Sequence, residues 1–346
     1  MKNIIKIKQT VYNGKKVEIK SFNSFASIEN SYKKYYCIIC FDRPWYLTRL
    51  IESLELNEDP EACYVFFQDG YSCFRTEEVV TDPERIDKSI NCIKNSILKN
   101  KILFLAEKNY GPAKMRREAY RIIFDNSDIS FATFMEEDIS VGKSCFSILD
   151  SLEESFREDS SVFAISPFNK YQAWGKEPVE NVIKMRNLAE VNLDHITLIW
   201  GLWKEKYQIL IKDFDRLFYR YFSNFSYRKE IFHYYQTDFG KLYGLFNKKF
   251  YGASDDCCMA FCMVLNKMYK LSSKSNQIYY NGEWGIHGTP ENFKETGLHK
   301  IFPDNIINTK KFKIDTVTKS RFDNYLLNHN VTIENEFNPN DILLIE

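Results

Sequence analysis

The sequence has no apolar stretch that approaches the roughly 20 residues needed to span a bilayer. Its first residues, MKNIIKIKQT, carry scattered lysines and no apolar core, which is not the pattern of a secretory signal. Internal repeats and low-complexity linkers are also missing. These absences argue against a membrane-anchored protein or a repeat array, and they predict a cytoplasmic location.

The chain has no excess of either charge, since lysine plus arginine and aspartate plus glutamate both number 47 in 346 residues. A dedicated nucleic-acid binder usually carries a basic excess, so this balance argues against nucleic acid as a partner. Hydrophobic residues make up 44% of the chain and aromatic residues 16%. That is ample for the packed core of one large α/β domain or two small ones.

Cysteine occurs in an odd number, nine, and several cysteines lie inside apolar runs. This distribution favours buried free thiols in a reducing compartment over a disulfide framework. Cys37 and Cys40 have the C-x-x-C spacing of a metal or redox site, but no second pair follows them. Since residues 35–41 have the pattern of a buried strand, we expect these two thiols to be structural.

Short apolar runs alternate with stretches of helical spacing from residue 35 onward. The runs are YYCIICF (35–41), CYVFFQ (63–68), ILFLA (102–106), FATFM (131–135) and VFAIS (162–166). Strands that are buried on both faces and separated by helices predict an α/β fold with a largely parallel central sheet flanked by helices.

Before these runs, two alternating segments (4–11 and 16–22) flank Asn13-Gly14, which predicts an N-terminal β-hairpin appendage. We predict four parts of the chain: the hairpin appendage (1–33), a first half (34–170), a second half with a helical insertion (171–300) and a C-terminal tail (301–346).

Charged or turn-forming residues follow four of the apolar runs. They are Asp42-Arg43-Pro44, Gln68-Asp69-Gly70, residues 107–112 (EKNYGP) and Glu136-Glu137-Asp138. Ligands of open parallel sheets bind at the carboxyl ends of the strands, where such loops converge. The sequence therefore predicts a binding site at this edge.

The acidic triplet Glu136-Glu137-Asp138 ends one strand. Alternation along a strand would place Glu136 and Asp138 on one face and Glu137 on the other. Two carboxylates aimed together repel each other unless a cation neutralises them, and Mg²⁺ and Mn²⁺ prefer oxygen ligands. Such an ion keeps positions open for diphosphate oxygens. The alternative is a solvated acidic turn that caps the next helix.

Asn109-Tyr110-Gly111-Pro112 leads into AKMRREAYRII, and proline suits the first turn of a helix. Lys114, Arg116 and Arg117 then lie near a helix N-terminus, where backbone N–H groups already favour anions. One of these bases is a candidate contact to phosphate; the alternative is an exposed basic helix surface.

Ser254-Asp255-Asp256 precedes CCMAFCMVL (257–265), an apolar run that predicts a buried helix. One of the two aspartates suits the N-cap, and the other is a candidate general base. The glycine-rich segment NGEWGIHG (281–288) contains His287, which is either a ligand to metal or phosphate or a structural loop residue.

Residues 204–250 interleave basic and aromatic side chains. This mixture is compatible with nucleic acid, with contact to a membrane surface, or with a helical subdomain whose bases extend to solvent. We favour the helical subdomain.

The runs CIICFDRPWYLTRLIESL, FFQDG, NYGPAKMRREAYRIIF and FATFMEEDISVGKSCFSILDSL together resemble the nucleotide-binding half of GT-A glycosyltransferases. The similarity is greatest to the N-acetylglucosaminyltransferase I group (family 13). SVFAISPFNKY, LIWGLWKEKYQ, SDDCCM and GEWGIHG resemble later segments of that family. The order is the same over residues 35–290. The resemblance implies that residues 34–170 are a nucleotide-sugar-binding half and that residues 171–300 are an acceptor-binding half, in which the helical insertion lies beside the acceptor site. This chain differs in its Glu-Glu-Asp triplet and in Ser254, where the family has tryptophan.

The resemblance implies a GT-A, Rossmann-like fold and a metal-dependent, inverting transfer of a hexosyl or N-acetylhexosaminyl group from a UDP-sugar. N-acetylglucosamine is the first expectation for the sugar, and a glycan or protein the expected acceptor, as in polysaccharide synthesis. The resemblance implies that Arg43 and Asp69 contact the uridine, and that Glu136 and Glu137 belong to a DXD-like triplet with Mn²⁺ or Mg²⁺ on Asp138. Asp255, beside Asp256, would be the catalytic residue. Arg116 or Arg117 and His287 would contact the diphosphate.

Three alternatives stay open. A retaining enzyme of the same fold would not use Asp255 as a base. A non-catalytic module would bind UDP without turnover. A metal-dependent hydrolase or nucleotidyltransferase would consume nucleoside triphosphate and would not need Asp255.

Overall fold

The computed structural model describes residues 8–12, 15–22, 26–169, 185–192, 198–218, 255–284, 289–295, 297–300, 303 and 311–328. Strands and helices alternate through the first two thirds of these residues, as the apolar runs predict. None of the helices in these ranges is long and apolar enough to cross a bilayer.

The strands of the described chain are β1 Lys8–Tyr12, β2 Lys15–Ser21, β3 Lys34–Cys40, β4 Ala62–Gln68, β5 Lys101–Leu105, β6 Phe131–Glu136, β7 Ile139–Val141, β8 Val162–Ser166, β9 Leu188–Asn192, β10 Ile199–Trp203, β11 Tyr269–Ser273, β12 Ile278–Tyr280 and β13 Lys313–Ile314. The helices are α1 Pro44–Leu56, α2 Pro83–Asn95, α3 Gly111–Tyr120, α4 Cys145–Phe156, α5 Lys204–Leu217, α6 Asp255–Leu265, α7 Pro290–Glu295 and α8 Thr316–Asn328.

Eleven of the described strands form one sheet in the order β1-β2-β5-β4-β3-β6-β10-β8-β11-β9-β13. The five successive strands β2, β5, β4, β3 and β6 of this order are parallel to one another, and β8 is parallel to β11. Strand β10 is antiparallel to both β6 and β8, so it lies between two groups of strands that point the same way. The fold is therefore α/β with a largely parallel sheet flanked by helices, as predicted.

The predicted N-terminal hairpin forms, with β1 antiparallel to β2. Its second strand pairs in parallel with β5, so that Val17 lies opposite Lys101 and Ser21 opposite Leu105. The hairpin thus extends the central sheet at one end instead of standing apart from it.

The core lies on both faces of the sheet because the central strands are apolar at nearly every position. All seven residues of β4 are buried. Helix α1 packs through Leu47, Leu50, Ile51 and Leu54, the positions predicted by helical spacing. The described cysteines are all free. Burial raises the pKa of the Cys37 and Cys40 thiols well above the ordinary value, in agreement with a structural role.

The strand ends that the sequence singled out meet at one edge. Strands β3, β4, β5 and β6 are parallel neighbours. Beyond their last paired residues, Asp69 N donates to the Cys40 carbonyl at 2.9 Å and Ala106 N to the Gln68 carbonyl at 3.0 Å. The loops that follow these strands are consequently adjacent.

Candidate active site

Arg43, the residue before α1, binds the acidic turn that follows β6. Its Nε donates to Glu137 Oε1 at 2.7 Å and its Nη1 to Asp138 Oδ2 at 2.8 Å. Glu137 also accepts a bond from the backbone N–H of Phe41 at 2.5 Å. Both carboxylates are buried. The ends of β3 and β6 are thereby joined through one arginine.

The three acids of the triplet are divided between two arginines. Glu137 and Asp138 share Arg43, whereas Glu136 binds a different arginine, Arg116. The strand ends at Glu136, and the chain turns at the next two residues. Alternation holds only while the backbone stays extended, and the Asp138 carboxylate still lies close enough to Glu136 to raise the pKa of that group.

Arg116 on α3 joins the acidic strand end to α6. Its Nε and Nη2 each lie 2.6 Å from one oxygen of Asp255, and its Nη1 donates to Glu136 Oε1 at 2.5 Å. The nearest oxygen of Asp256 is 3.7 Å from Nη2. Burial alone would lower the pKa of Arg116, but these carboxylates outweigh burial and raise it. Four residues from three motifs of the sequence therefore meet.

A small cavity of about 30 Å³ adjoins this arginine. Its polar lining includes Asp255, Asp256 and Tyr120, and its wall includes Trp200. Lys270 of β11 also lines it and is 4% exposed. The sequence analysis did not single out Lys270. The available signal was a lysine inside YKLSS, a short run whose five residues are all buried.

Asp69 is used to hold the loop before α3. Its two carboxylate oxygens accept bonds from the backbone N–H groups of Gly70, Tyr110 and Gly111 and from the side chain of Asn109, at 2.8–3.0 Å. Burial raises its pKa to about 6 despite these bonds. Asp69 thus lies at the predicted edge with its oxygens directed into the protein's own backbone.

The other two bases of α3 lie away from the acidic cluster. Arg117 donates to both oxygens of Asp215 on α5, at 2.6 and 2.7 Å, and to the Tyr207 hydroxyl at 2.7 Å. Lys114 lies over the rings of Phe74 and Tyr110, at 4.2 and 4.8 Å from their centres. Of the three predicted bases, Arg116 is the one that contacts the acidic cluster.

Part of the predicted site falls outside the described residues: His287, Ser254 and most of the segment 204–250. The first residues of the glycine-rich loop are described and adjoin the site. Asn281 N donates to the backbone carbonyl of Asp138 at 2.7 Å, and its side chain donates to Ser140 at 2.8 Å.

The residues at Asp138 fit a divalent cation. Asp138 Oδ2 is held by Arg43, while its Oδ1 is buried without a hydrogen-bond partner. A buried oxygen without a partner is costly, and a hard cation is a suitable ligand for it. Among the described residues no three His, Cys, Asp or Glu side chains are placed to hold a metal together. One carboxylate supplemented by substrate oxygens is the arrangement that Mg²⁺ commonly takes.

Two carboxyl groups of this cluster, Glu136 and Glu137, resist ionisation. Burial raises the pKa of Glu137 to about 7, although Arg43 opposes the rise. Burial also raises the pKa of Glu136, and the carboxylates of Asp138 and Asp256 add to it while Arg116 opposes it. Added positive charge at this edge would favour the ionised forms.

A larger cleft of about 430 Å³ lies at the other edge of the sheet, beside the first residues of β3 and β6. Three bases and three acids line it (Lys33, Lys34, Arg157, Asp150, Glu153, Glu154). It contains none of the predicted site residues. The strand carboxyl edge, with its buried charges and unsatisfied oxygen, is the better candidate for catalysis.

No protein-family model and no curated protein matches the sequence. Among solved structures, the chain is similar to S. aureus TarS 1–349, with 17% identity and a TM-score of 0.40. The alignment covers 76% of this chain and 63% of that one, so the chain spans less than two thirds of that structure. The same TarS segment in complex with UDP aligns at 17% identity with a TM-score of 0.39 over the same shares.

The apo structure of WbbM, a bifunctional glycosyltransferase, aligns at 9% identity with a TM-score of 0.34, over 59% of this chain and 37% of that one. Alignments of this extent carry no inference about what this chain does. They also do not test the resemblance to the N-acetylglucosaminyltransferase I group.

Proposed function

We propose that this chain is a metal-dependent glycosyltransferase that transfers a sugar from a UDP-sugar to an acceptor hydroxyl. The observation that carries the proposal is the position of Arg116, which binds Glu136 at the strand edge and Asp255 on α6. A displacement needs a group that stabilises the leaving diphosphate and a group that removes the acceptor proton. The ordered motifs that resemble family 13 supply the donor class.

The charge of the cluster supports a divalent cation. Two cationic side chains pair with its acids and a third, Lys270, lines the adjoining cavity, against five carboxyl groups (Glu136, Glu137, Asp138, Asp255, Asp256). Burial opposes the ionisation of Glu136 and Glu137, and a divalent cation would offset the two negative charges that are in excess once all five groups are ionised. Mn²⁺ or Mg²⁺ on Asp138 would supply Lewis-acid stabilisation of the diphosphate.

The two aspartates of α6 differ in how they are held. Asp255 gives both oxygens to Arg116. The Asp256 side chain is 21% exposed and lies farther from the same guanidinium. A base must be within reach of the acceptor hydroxyl, and Asp256 is partly exposed and lines the adjoining cavity. We therefore assign proton removal to Asp256 and the anchoring of Arg116 to Asp255, in place of the resemblance-based assignment of Asp255 as the base.

In the proposed step the acceptor oxygen attacks the anomeric carbon as the bond to the diphosphate oxygen breaks. The hydroxyl proton passes to Asp256, UDP leaves, and configuration inverts. A retaining enzyme remains the second candidate, and the anomer of the product separates the two.

The test is thermal stability against nucleoside diphosphates, each with and without Mn²⁺. A ligand that binds only the folded protein raises its melting temperature. We expect UDP with Mn²⁺ to stabilise the wild type by several degrees, and Asp138→Ala to abolish the part that requires Mn²⁺. Asp150→Ala, at the opposite edge of the sheet, is the control and should respond like the wild type. If no nucleoside diphosphate raises the melting temperature of the wild type, with or without Mn²⁺, the proposal is refuted.

A further inference from the structure

Lys270 is a cationic side chain inside an otherwise uncharged strand. Strand β11 pairs with β8 on one side and β9 on the other, so Lys270 lies well within the sheet. Its neighbours in the cavity are Asp255 and Asp256 from α6 and Arg116 and Tyr120 from α3. Glu190 of β9 is the remaining acid that acts on it.

Burying a lysine is unfavourable unless a partner stabilises its charge. Burial lowers the pKa of Lys270 to about 8, and Asp256, followed by Glu190, acts in the opposite direction. The acid that most favours the charged lysine is therefore the residue assigned above as the base.

We propose that Lys270 is a positioning residue for Asp256: its ammonium group holds the Asp256 carboxylate ionised and oriented toward the acceptor. This inference rests on the proposed function, because it gives Lys270 a role in the same transfer. Arg116 holds Asp255 and Glu136 at distances of 2.5–2.6 Å and approaches Asp256 less closely, at 3.7 Å, and Lys270 is the other cation that lines this small cavity together with Asp256.

The chain contains a matched control in Lys206. This lysine is 3% exposed, and burial lowers its pKa to about 8 as well. Its ammonium group, however, donates to the carbonyl oxygens of Phe156 and Asp159, both at 2.9 Å, and lies over the Trp203 ring. Lys206 therefore secures the end of α4 and has no part in the cluster around Arg116.

The first experiment follows the ammonium groups by NMR on protein labelled with ¹³Cε-lysine. Lys270→Arg and Lys206→Arg identify the two resonances. Asp256→Asn should lower the titration midpoint of Lys270 by about half a pH unit or more, since the lost carboxylate favours the charged form. The Lys206 midpoint should not move. A Lys270 midpoint unaffected by Asp256→Asn would overturn the proposal.

The second experiment measures UDP release from UDP-N-acetylglucosamine, UDP-glucose and UDP-galactose, with water as acceptor, across pH 6–10. We expect Lys270→Met to lower kcat at least tenfold with little change in KM. Lys270→Arg should keep the rate and remove the decline above pH 8, because arginine stays charged there. Lys206→Met should match the wild type in kcat.

Equal kcat values for Lys270→Met and Lys206→Met would overturn the positioning role, even if Asp256→Asn lowers the titration midpoint of Lys270. Circular dichroism and the UDP-dependent melting shift verify that each variant is folded and binds the donor product. Failure of the proposed function gives a different result, because the melting temperature of the wild type itself would then not change with UDP. The dependence of Lys270 on Asp256 would then describe a structural ion pair.

Discussion

At the scale of single residues, the two neighbouring arginines of α3 show how a helix directs successive side chains toward different parts of the protein. Successive residues of a helix point about 100° apart, so Arg116 and Arg117 reach different elements. Arg116 is 7% exposed and meets the carboxylates of Glu136 and Asp255. Arg117 meets Asp215, whose side chain is 37% exposed. The same residue type thus has a buried, acid-rich environment in one case and a solvated pair in the other.

The two arginines should respond differently to substitution by methionine, which keeps most of the side-chain volume. Arg116→Met leaves buried carboxylates without their cation and should cost about 3–5 kcal/mol of the free energy of unfolding. Arg117→Met leaves Asp215 free to hydrate and should cost about 1 kcal/mol. Urea denaturation of both variants measures the difference. Equal losses would show that Arg116 has no special electrostatic role.

At the scale of elements, the loops after the strands depend on close backbone approach. A Cβ atom on Gly70 would lie 2.6 Å from the backbone carbonyl carbon of Lys108, so the loop after β4 touches the loop after β5. Gly111 has a positive φ of 76°, and a Cβ atom there would have no neighbour within 4 Å. Asp69 binds the backbone of both glycines. One glycine is thus required by space and the other by backbone conformation.

Alanine at the two positions separates these requirements. Gly70→Ala must push two backbones apart and should cost about 2–3 kcal/mol, with weaker binding of UDP because the loop before α3 moves. Gly111→Ala meets no obstacle and should cost about 1 kcal/mol through its backbone conformation. Urea denaturation and the UDP-dependent melting shift provide the measurements. A harmless Gly70→Ala would mean that the two loops are not in contact.

The elements themselves were predictable from the sequence because burial on both faces produces continuous apolar runs, as in YYCIICF and CYVFFQ. Their shared edge followed from the parallel arrangement. The partners of the arginines could not be predicted, because a helical pattern does not state which strand end each side chain reaches. Alternation along β6 likewise does not state which arginine each acid of the triplet binds. The sequence analysis did not identify Lys270, because a single lysine in a short, otherwise uncharged strand does not reveal which acids lie near it.

At the scale of the whole molecule, the acidic cluster joins distant parts of the chain. Residues 43, 116, 136–138 and 255–256 contact one another across more than half of the sequence. They do so because β6 lies at the centre of the sheet, next to β3, while α3 and α6 approach its carboxyl end. A site assembled this way depends on the complete sheet, so its charges and the stability of the fold are linked.

The buried lysines of the molecule give the pH dependence of folding stability a defined sign. The folded protein lowers the pKa of Lys206 to about 8, chiefly through burial, while an unfolded chain keeps a lysine near about 10.4. Between these values the unfolded state binds more protons, so stability rises with pH across this window. Below pH 8 both states are protonated, and the burial penalty is present in full. Lys270 acts in the same direction.

The contribution of Lys206 can be isolated by subtraction, because Lys270 and the tyrosines act equally in both proteins compared. We expect the free energy of unfolding of the wild type minus that of Lys206→Met to be constant from pH 6 to 7.5. It should then increase toward pH 10, by at most about 1.4 kcal/mol per pH unit. Urea denaturation at half-unit intervals measures it. A difference that decreases over this window would mean that the carbonyl oxygens of Phe156 and Asp159 outweigh burial and hold Lys206 charged.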